Sequence, residues 1–174
     1  MIHIRRHALV RHSPEEMFDL VNDVEAYPTL FPWCAAARVL ARESDSVQIV
    51  RLDLRFAGFT QSFTTRNTGE RPRRLRMHLV DGPLKSLDGE FTFTALGALS
   101  PESSLGSGQV ELPPAGRNDD GTSAAKPSGG CKIALALDFE YAGRLIGPAL
   151  KLGFQGLANR MVDDFSRAAA KRHG

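Results

Sequence analysis

At 174 residues with 42% hydrophobic and 24% charged content, the chain is long and apolar enough to bury one sizeable core, and it is read as a single domain spanning residues 1–174. Its 22 basic and 20 acidic residues leave a net charge of +2, which does not announce nucleic-acid binding, although local asymmetry still matters. The two cysteines, Cys34 and Cys131, lie far apart without a CxxC neighbour, so two buried thiols are expected rather than a metal site or a disulfide framework.

In chain order, Ile2, Ile4, Ala8 and Val10 alternate with His3, Arg5, Leu9 and Arg11, the pattern of a half-buried first strand. Ser13-Pro14-Glu15-Glu16 supplies an N-cap, a proline at the first helical position and a capping-box glutamate. The helix it opens buries Met17, Phe18, Leu20, Val21 and Val24. Tyr27, Phe31 and Trp33 then fall around Pro28 and Pro32. Each proline disfavours helix at the residue before it, so the aromatics belong to a compact, kinked connection and must pack on something.

From Arg38 to Leu96 the period is mostly two, with breaks at Gly58, at Gly69 to Pro72 and at Asp81 to Pro83. This predicts four antiparallel strands and part of a fifth. Between Gly97 and Gly130 half of the residues are Gly, Pro or Ser, which predicts a disordered hairpin insertion that interrupts the domain without dividing it. Cys131 to Tyr141 reads as the last strand. Leu150, Phe154, Leu157, Met161 and Phe165 then recur at helical spacing, predicting a helix from Arg144 to Lys171. Such a helix would be about 40 Å long. Only the sheet can cover it, so the expected class is α+β, one curved antiparallel sheet wrapped around one long C-terminal helix.

Strand parity turns Leu52, Leu54, Phe56, Phe59, Phe63, Leu75, Met77, Leu79, Phe91 and Phe93 toward that helix, where Leu150, Phe154 and Met161 meet them. Apolar stripes are ordinarily just packing, but a sheet curved around a helix tends to leave an apolar gap. Gln61, Thr65 and Asn67 share the inward parity and could orient a ligand carbonyl or hydroxyl. No nucleophile with an activating base, metal-ligand spacing or glycine-rich phosphate cradle stands out. The outward parity carries Arg5, Arg51, Arg55, Arg66, Arg74, Arg76 and Lys132, interrupted by Asp53, Asp138 and Glu140. Most such faces are merely solvated, and contact with the phosphates of RNA or anionic lipid is the functional reading left open. No apolar run reaches the ~18 residues of a membrane span, and the N-terminus reads as a strand rather than a signal peptide. A cytoplasmic protein, peripheral at most on the inner membrane, is expected.

Val21, Asp23, Val24, Tyr27 and Pro28, followed by Phe31, Pro32, Trp33, Cys34, Arg38 and Val39, match a V-x-D-V-x-x-Y-P, F-x-P-W-C and R-V series. Through them the chain resembles the coenzyme-Q-binding proteins of the START-like, or polyketide-cyclase-like, superfamily. Gln61 to Asn67, Met77 to Leu84, Gly89 to Phe93 and Arg144 to Ala169 extend the likeness, with Leu84 in place of a common aromatic and Phe91 in place of a common Trp. The resemblance implies the helix-grip fold and non-enzymatic binding of ubiquinone or another isoprenoid lipid, in support of respiratory electron transport, with no metal or cofactor beyond that ligand. On this reading Tyr27, Phe31, Trp33, Leu54, Phe56, Phe63, Met77, Leu79, Leu84, Phe93, Leu150, Phe154 and Met161 line the cavity, and Gln61, Thr65 and Asn67 are its polar contacts. The superfamily also includes a bacterial ribosome-association toxin, so contact with the large subunit and its rRNA is the alternative reading. A cyclase-like enzyme is a second.

Overall fold

The computed structural model describes residues 1–97, 129–143 and 147–173. The strands are β1 (Ile2–Val10), β2 (Cys34–Arg42), β3 (Val47–Phe56), β4 (Phe59–Glu70), β5 (Arg74–Asp81), β6 (Leu84–Ala95) and β7 (Cys131–Tyr141). The helices are α1 (Pro14–Asn22), α2 (Tyr27–Leu30) and α3 (Pro148–His173), with a 3-10 turn at Val24–Ala26.

The start of α1 follows its sequence signal: Pro14 sits in the first turn and Ser13 Oγ accepts the Glu16 N–H at 3.1 Å. The Glu16 carboxylate lies 3.5 Å from His12 Nδ1 and 3.7 Å from His173 Nδ1, joining the start of α1 to the end of α3. The aromatic connection departs from expectation at Tyr27, which is helical (φ −55°, ψ −42°) although Pro28 follows it. Pro28 occupies the first turn of α2, where its missing N–H costs nothing, and Tyr27 is anchored by burial and by its hydroxyl, which donates to the Val21 carbonyl. Phe31, before Pro32, is extended as the rule predicts (φ −128°, ψ 125°).

The seven strands form one antiparallel sheet in the order β1-β7-β6-β5-β4-β3-β2. Five complete strands lie between Cys34 and Ala95 because the chain also reverses at residues 43–46. That turn lacks Gly and Pro, and is closed by Glu43 and Ser44 N–H groups donating to the Val47 carbonyl. β4 runs straight through Gly69, and the next reversal comes at residues 71–73. β6 and β7 pair directly across the Gly/Pro/Ser-rich segment, of which residues 98–128 lie outside the described residues. The expected start of the last helix at Arg144 also lies outside them, and α3 is described from Pro148.

The sheet bends around α3, which packs on β1, β3, β7 and α1. Register shifts at Cys34/Ala36, Val39/Ala41, Thr64/Thr65 and Leu84/Ser86 supply local twist. In the concave wall, a Cβ on Gly89 would come within 2.6 Å of Met77 Cε and 3.1 Å of Leu137 Cδ1, so the absent side chain lets two neighbours close over β6. Phe59 has inward parity but lies 54% exposed beside the β3–β4 turn.

Two glycines of α3 separate helix propensity from packing. Gly156 has open space where a Cβ would go, whereas a Cβ on Gly153 would lie 2.8 Å from Ala57 Cβ and 3.3 Å from Ala57 N at the β3–β4 turn. Gly156→Ala should therefore raise stability by ~1 kcal/mol in chemical denaturation. Gly153→Ala should lower it by ~1–3 kcal/mol as the turn is pushed away.

Candidate functional site

The buried stripe of α3 sets one wall of the interior. Phe154, Leu157, Met161 and Phe165 recur three or four residues apart, with Ala158 beside Leu157, and face the concave sheet. Leu52 and Leu54 of β3, Phe63 of β4, Leu75 and Met77 of β5, Leu87 and Phe91 of β6, and Leu137 of β7 form the opposite wall. Val24 and Tyr27 complete it. These residues surround a cavity of about 70 Å³.

Two polar side chains reach this space. Thr65 and Asn67 are 8% and 3% exposed, and Thr65 Oγ1 donates to Asn67 Oδ1 at 2.7 Å. Asn67 borders the cavity with its amide, and among the described residues no buried side-chain polar atom is left without a partner. The arrangement offers apolar contact and one hydrogen-bond donor. It has room for about two methyl-sized groups or waters, since a water takes up ~30 Å³, a cavity that accepts benzene measures ~150 Å³ and drug-sized ligands occupy ~300–1,000 Å³. A quinone ring would need the flexible, half-buried Met77 and Met161 to swing aside.

Of the residues expected to line a pocket, the structure brings Tyr27, Leu54, Phe63, Met77, Phe154 and Met161 to the cavity together with Thr65 and Asn67. It places the others elsewhere. Phe31 and Trp33 stack at 4.6 Å, Phe31 meets Phe165 edge-on at 5.0 Å, and Trp33 Nε1 donates to Asp164 Oδ2 at 2.9 Å. They pin the aromatic connection to α3. Phe56 packs one layer out against Phe63 and Phe154. Phe93 packs on Phe18 of α1. Leu84 is buried in the core near the β5–β6 turn and the half-buried Leu79 packs against that core, but neither lines the cavity. Leu150 is half-buried in the first turn of α3, and Gln61 is half-buried toward the hairpin end of β4.

Several other residues also line the cavity. Leu52, Leu75, Phe91 and Leu137 share a strand face with the expected lining residues, so strand parity is the signal that finds them. Leu157, Ala158 and Phe165 follow the helical period of α3. Leu87 is hidden by the irregularity in β6, and nothing in the spacing announces Val24 as a cavity residue.

The titratable groups nearby are held neutral. Burial raises the Tyr27 hydroxyl well above its ordinary range, and pushes the Cys34 and Cys131 thiols up to about 11. Both cysteines are free. Among the described residues, no three His, Cys, Asp or Glu side chains gather as a metal site, and no helix is long and apolar enough to cross a membrane.

Trp33→Ala should cost ~3–5 kcal/mol in denaturant unfolding, because it removes a stacked ring and leaves Asp164 Oδ2 without its indole donor, with only Arg167 remaining on Oδ1. Filling the cavity should do the reverse. Ala158→Val adds two buried methyl-sized groups, worth ~1.6 kcal/mol, against a helix-propensity cost of ~0.6 kcal/mol, so a net gain of ~1 kcal/mol is expected. A loss of ~1–3 kcal/mol would show that the space is already filled.

Comparison with known proteins agrees with this architecture. The chain is 35% identical over 172 residues to the ribosome association toxin RatA of Pseudomonas aeruginosa, covering 99% of this chain and 98% of the relative. It is 36% identical over 167 residues to the RatA of Escherichia coli K12, covering 95% and 85%. Among solved structures, a START superfamily protein from Mycobacterium smegmatis superposes with a TM-score of 0.65 at 21% identity, covering 98% of this chain and 95% of that one. The Zhui aromatase/cyclase from a Streptomyces species gives 0.65 at 16% identity, covering 98% and 94%. These two likenesses establish the helix-grip fold. Residues 10–166 match the family described as polyketide cyclase / dehydrase and lipid transport, and the chain belongs to that family.

Proposed function

We propose that this protein is a non-enzymatic, cytoplasmic factor that associates with the large ribosomal subunit. The observation that carries this reading is end-to-end identity of 32–36% with proteins named ribosome association toxins. The interior is consistent with it. A cavity of about 70 Å³ is small for a lipid carrier, and the neutral tyrosine and thiols around the core supply no acid–base pair. The business surface is then the outside of the fold.

The purified protein should co-migrate with large-subunit particles on a sucrose gradient at low salt and be released as salt rises, because contacts to rRNA phosphates displace counterions. Free migration at the top of the gradient at low salt would overturn the reading.

The second reading is a quinone or other isoprenoid lipid held between sheet and helix. Asn67 favours it, since a buried amide donor bordering an apolar space suits a ligand carbonyl. A short-chain ubiquinone analogue should then raise the melting temperature of the wild type and not that of Ala158→Val. Equal melting with and without the analogue removes this reading.

A further inference from the structure

The convex face of the sheet carries charge that the fold does not use. Arg38 of β2 and Arg51 of β3 are direct cross-strand partners and both are exposed, a like-charge pairing that costs stability. Asp53 stands two residues along β3 and accepts from Arg51 Nε at 3.2 Å and Ser62 Oγ at 2.7 Å. Those bonds, led by that from Ser62, hold its carboxyl below the ordinary range, so it stays ionised. The attraction of that one carboxylate is shared by Arg51 and Arg38, and Arg55 lies exposed two residues farther along β3. Among the described residues, neither Arg38 nor Arg55 has a carboxylate within ion-pair distance, whereas Arg5, Arg66, Arg71, Arg74 and Arg76 each do.

On the next strand, Thr60, Ser62 and Thr64 stand opposite Arg55, Asp53 and Arg51, and Arg51 Nη2 donates to Ser62 Oγ at 3.1 Å. Guanidinium groups interleaved with hydroxyls are the side chains that hold phosphate oxygens. The patch is bounded by the Arg66–Glu43 pair and by Asp81 across from Thr64. Elsewhere, residues 14–26 carry Glu15, Glu16, Asp19, Asp23 and Glu25 with no lysine or arginine. A net charge of +2 therefore conceals segregation.

We propose that the convex face of β2–β4, centred on Arg38, Arg51 and Arg55, grips the phosphate backbone of folded RNA in the ribosomal particle, an inference that rests on the ribosome-association reading. The outward positions between these arginines are polar, Asp53 on β3 and Ser62 on β4. The exposed apolar side chains of these strands, Leu40 of β2 and Phe59 at the β3–β4 tip, stand singly at opposite ends of the patch and form no apolar surface to insert into a bilayer. That favours RNA over an anionic lipid surface. Recognition would follow backbone shape and charge rather than base edges.

The test measures binding of the full chain to purified large-subunit particles over a salt series, with phosphatidylglycerol vesicles as a parallel arm. Arg51 is kept, because it orders Asp53 and Ser62. Arg38→Gln/Arg55→Gln should bind about tenfold or more weaker, with the salt slope reduced by about two, one for each arginine removed from a phosphate. Its melting temperature should hold or rise, since the Arg38–Arg51 repulsion is relieved. Wild-type binding that the double variant retains with the same slope would overturn this face while leaving ribosome association intact. Absence of wild-type binding would overturn both, and binding to vesicles alone would assign the patch to lipid.

Discussion

Phe154, Leu157, Val162 and Phe165 lie buried on one side of a helix 26 residues long, and the concave side of a single sheet is the principal surface that can cover them. That one demand shapes the rest of the molecule. The sheet must bend, and it does so at four register shifts and at Gly89, where two side chains close over a missing Cβ. The chain must also be fastened to the far half of the helix. Tyr27 and Phe31 do this by converging on Phe165, while Trp33, stacked on Phe31, bonds Asp164. Each buried aromatic contributes a few kcal/mol, so the connection between α1 and β2 is a structural clamp as well as a linker.

The closeness of this packing bears on function. The family this chain belongs to is described by polyketide cyclase / dehydrase and lipid transport, and one structure that shares the fold is an aromatase/cyclase. Here Phe63 stacks on Phe154 and Phe139 meets the same ring edge-on, and little volume remains between the walls. Thr65 and Asn67 satisfy one another in part, which limits the cost of burying them without a ligand. With the interior largely committed to stability, the unbalanced arginines on the outer face of β2 and β3 are the feature that packing leaves unexplained.

Much of this was legible in the sequence. The Ser13-Pro14 start of α1, the period-two run from β3 to β6 and the four-and-three spacing of α3 each reflect a local rule that tertiary structure did not override. The misses have physical causes. The turn at residues 43–46 is built from Glu, Ser and Asp rather than Gly or Pro, and Tyr27 enters a helical turn because its burial outweighs the restriction before proline. The cavity was only half legible. Parity names the face a strand residue shares but not its depth along the sheet, so Phe56 and Phe93 fall a layer away, and Leu79 and Leu84 join the core near the β5–β6 turn without reaching the cavity. The segregation of charge was hidden because a cross-strand pair such as Arg38 and Arg51 depends on register, which composition does not carry.

The central claim is that the core is filled by the protein's own side chains and that recognition is external. Native mass spectrometry of the freshly purified chain, followed by organic extraction, tests it most directly. The expected result is a bare polypeptide mass of 19.0 kDa and no stoichiometric lipid in the extract. One quinone or other isoprenoid molecule per chain would contradict the claim and return the function to the interior.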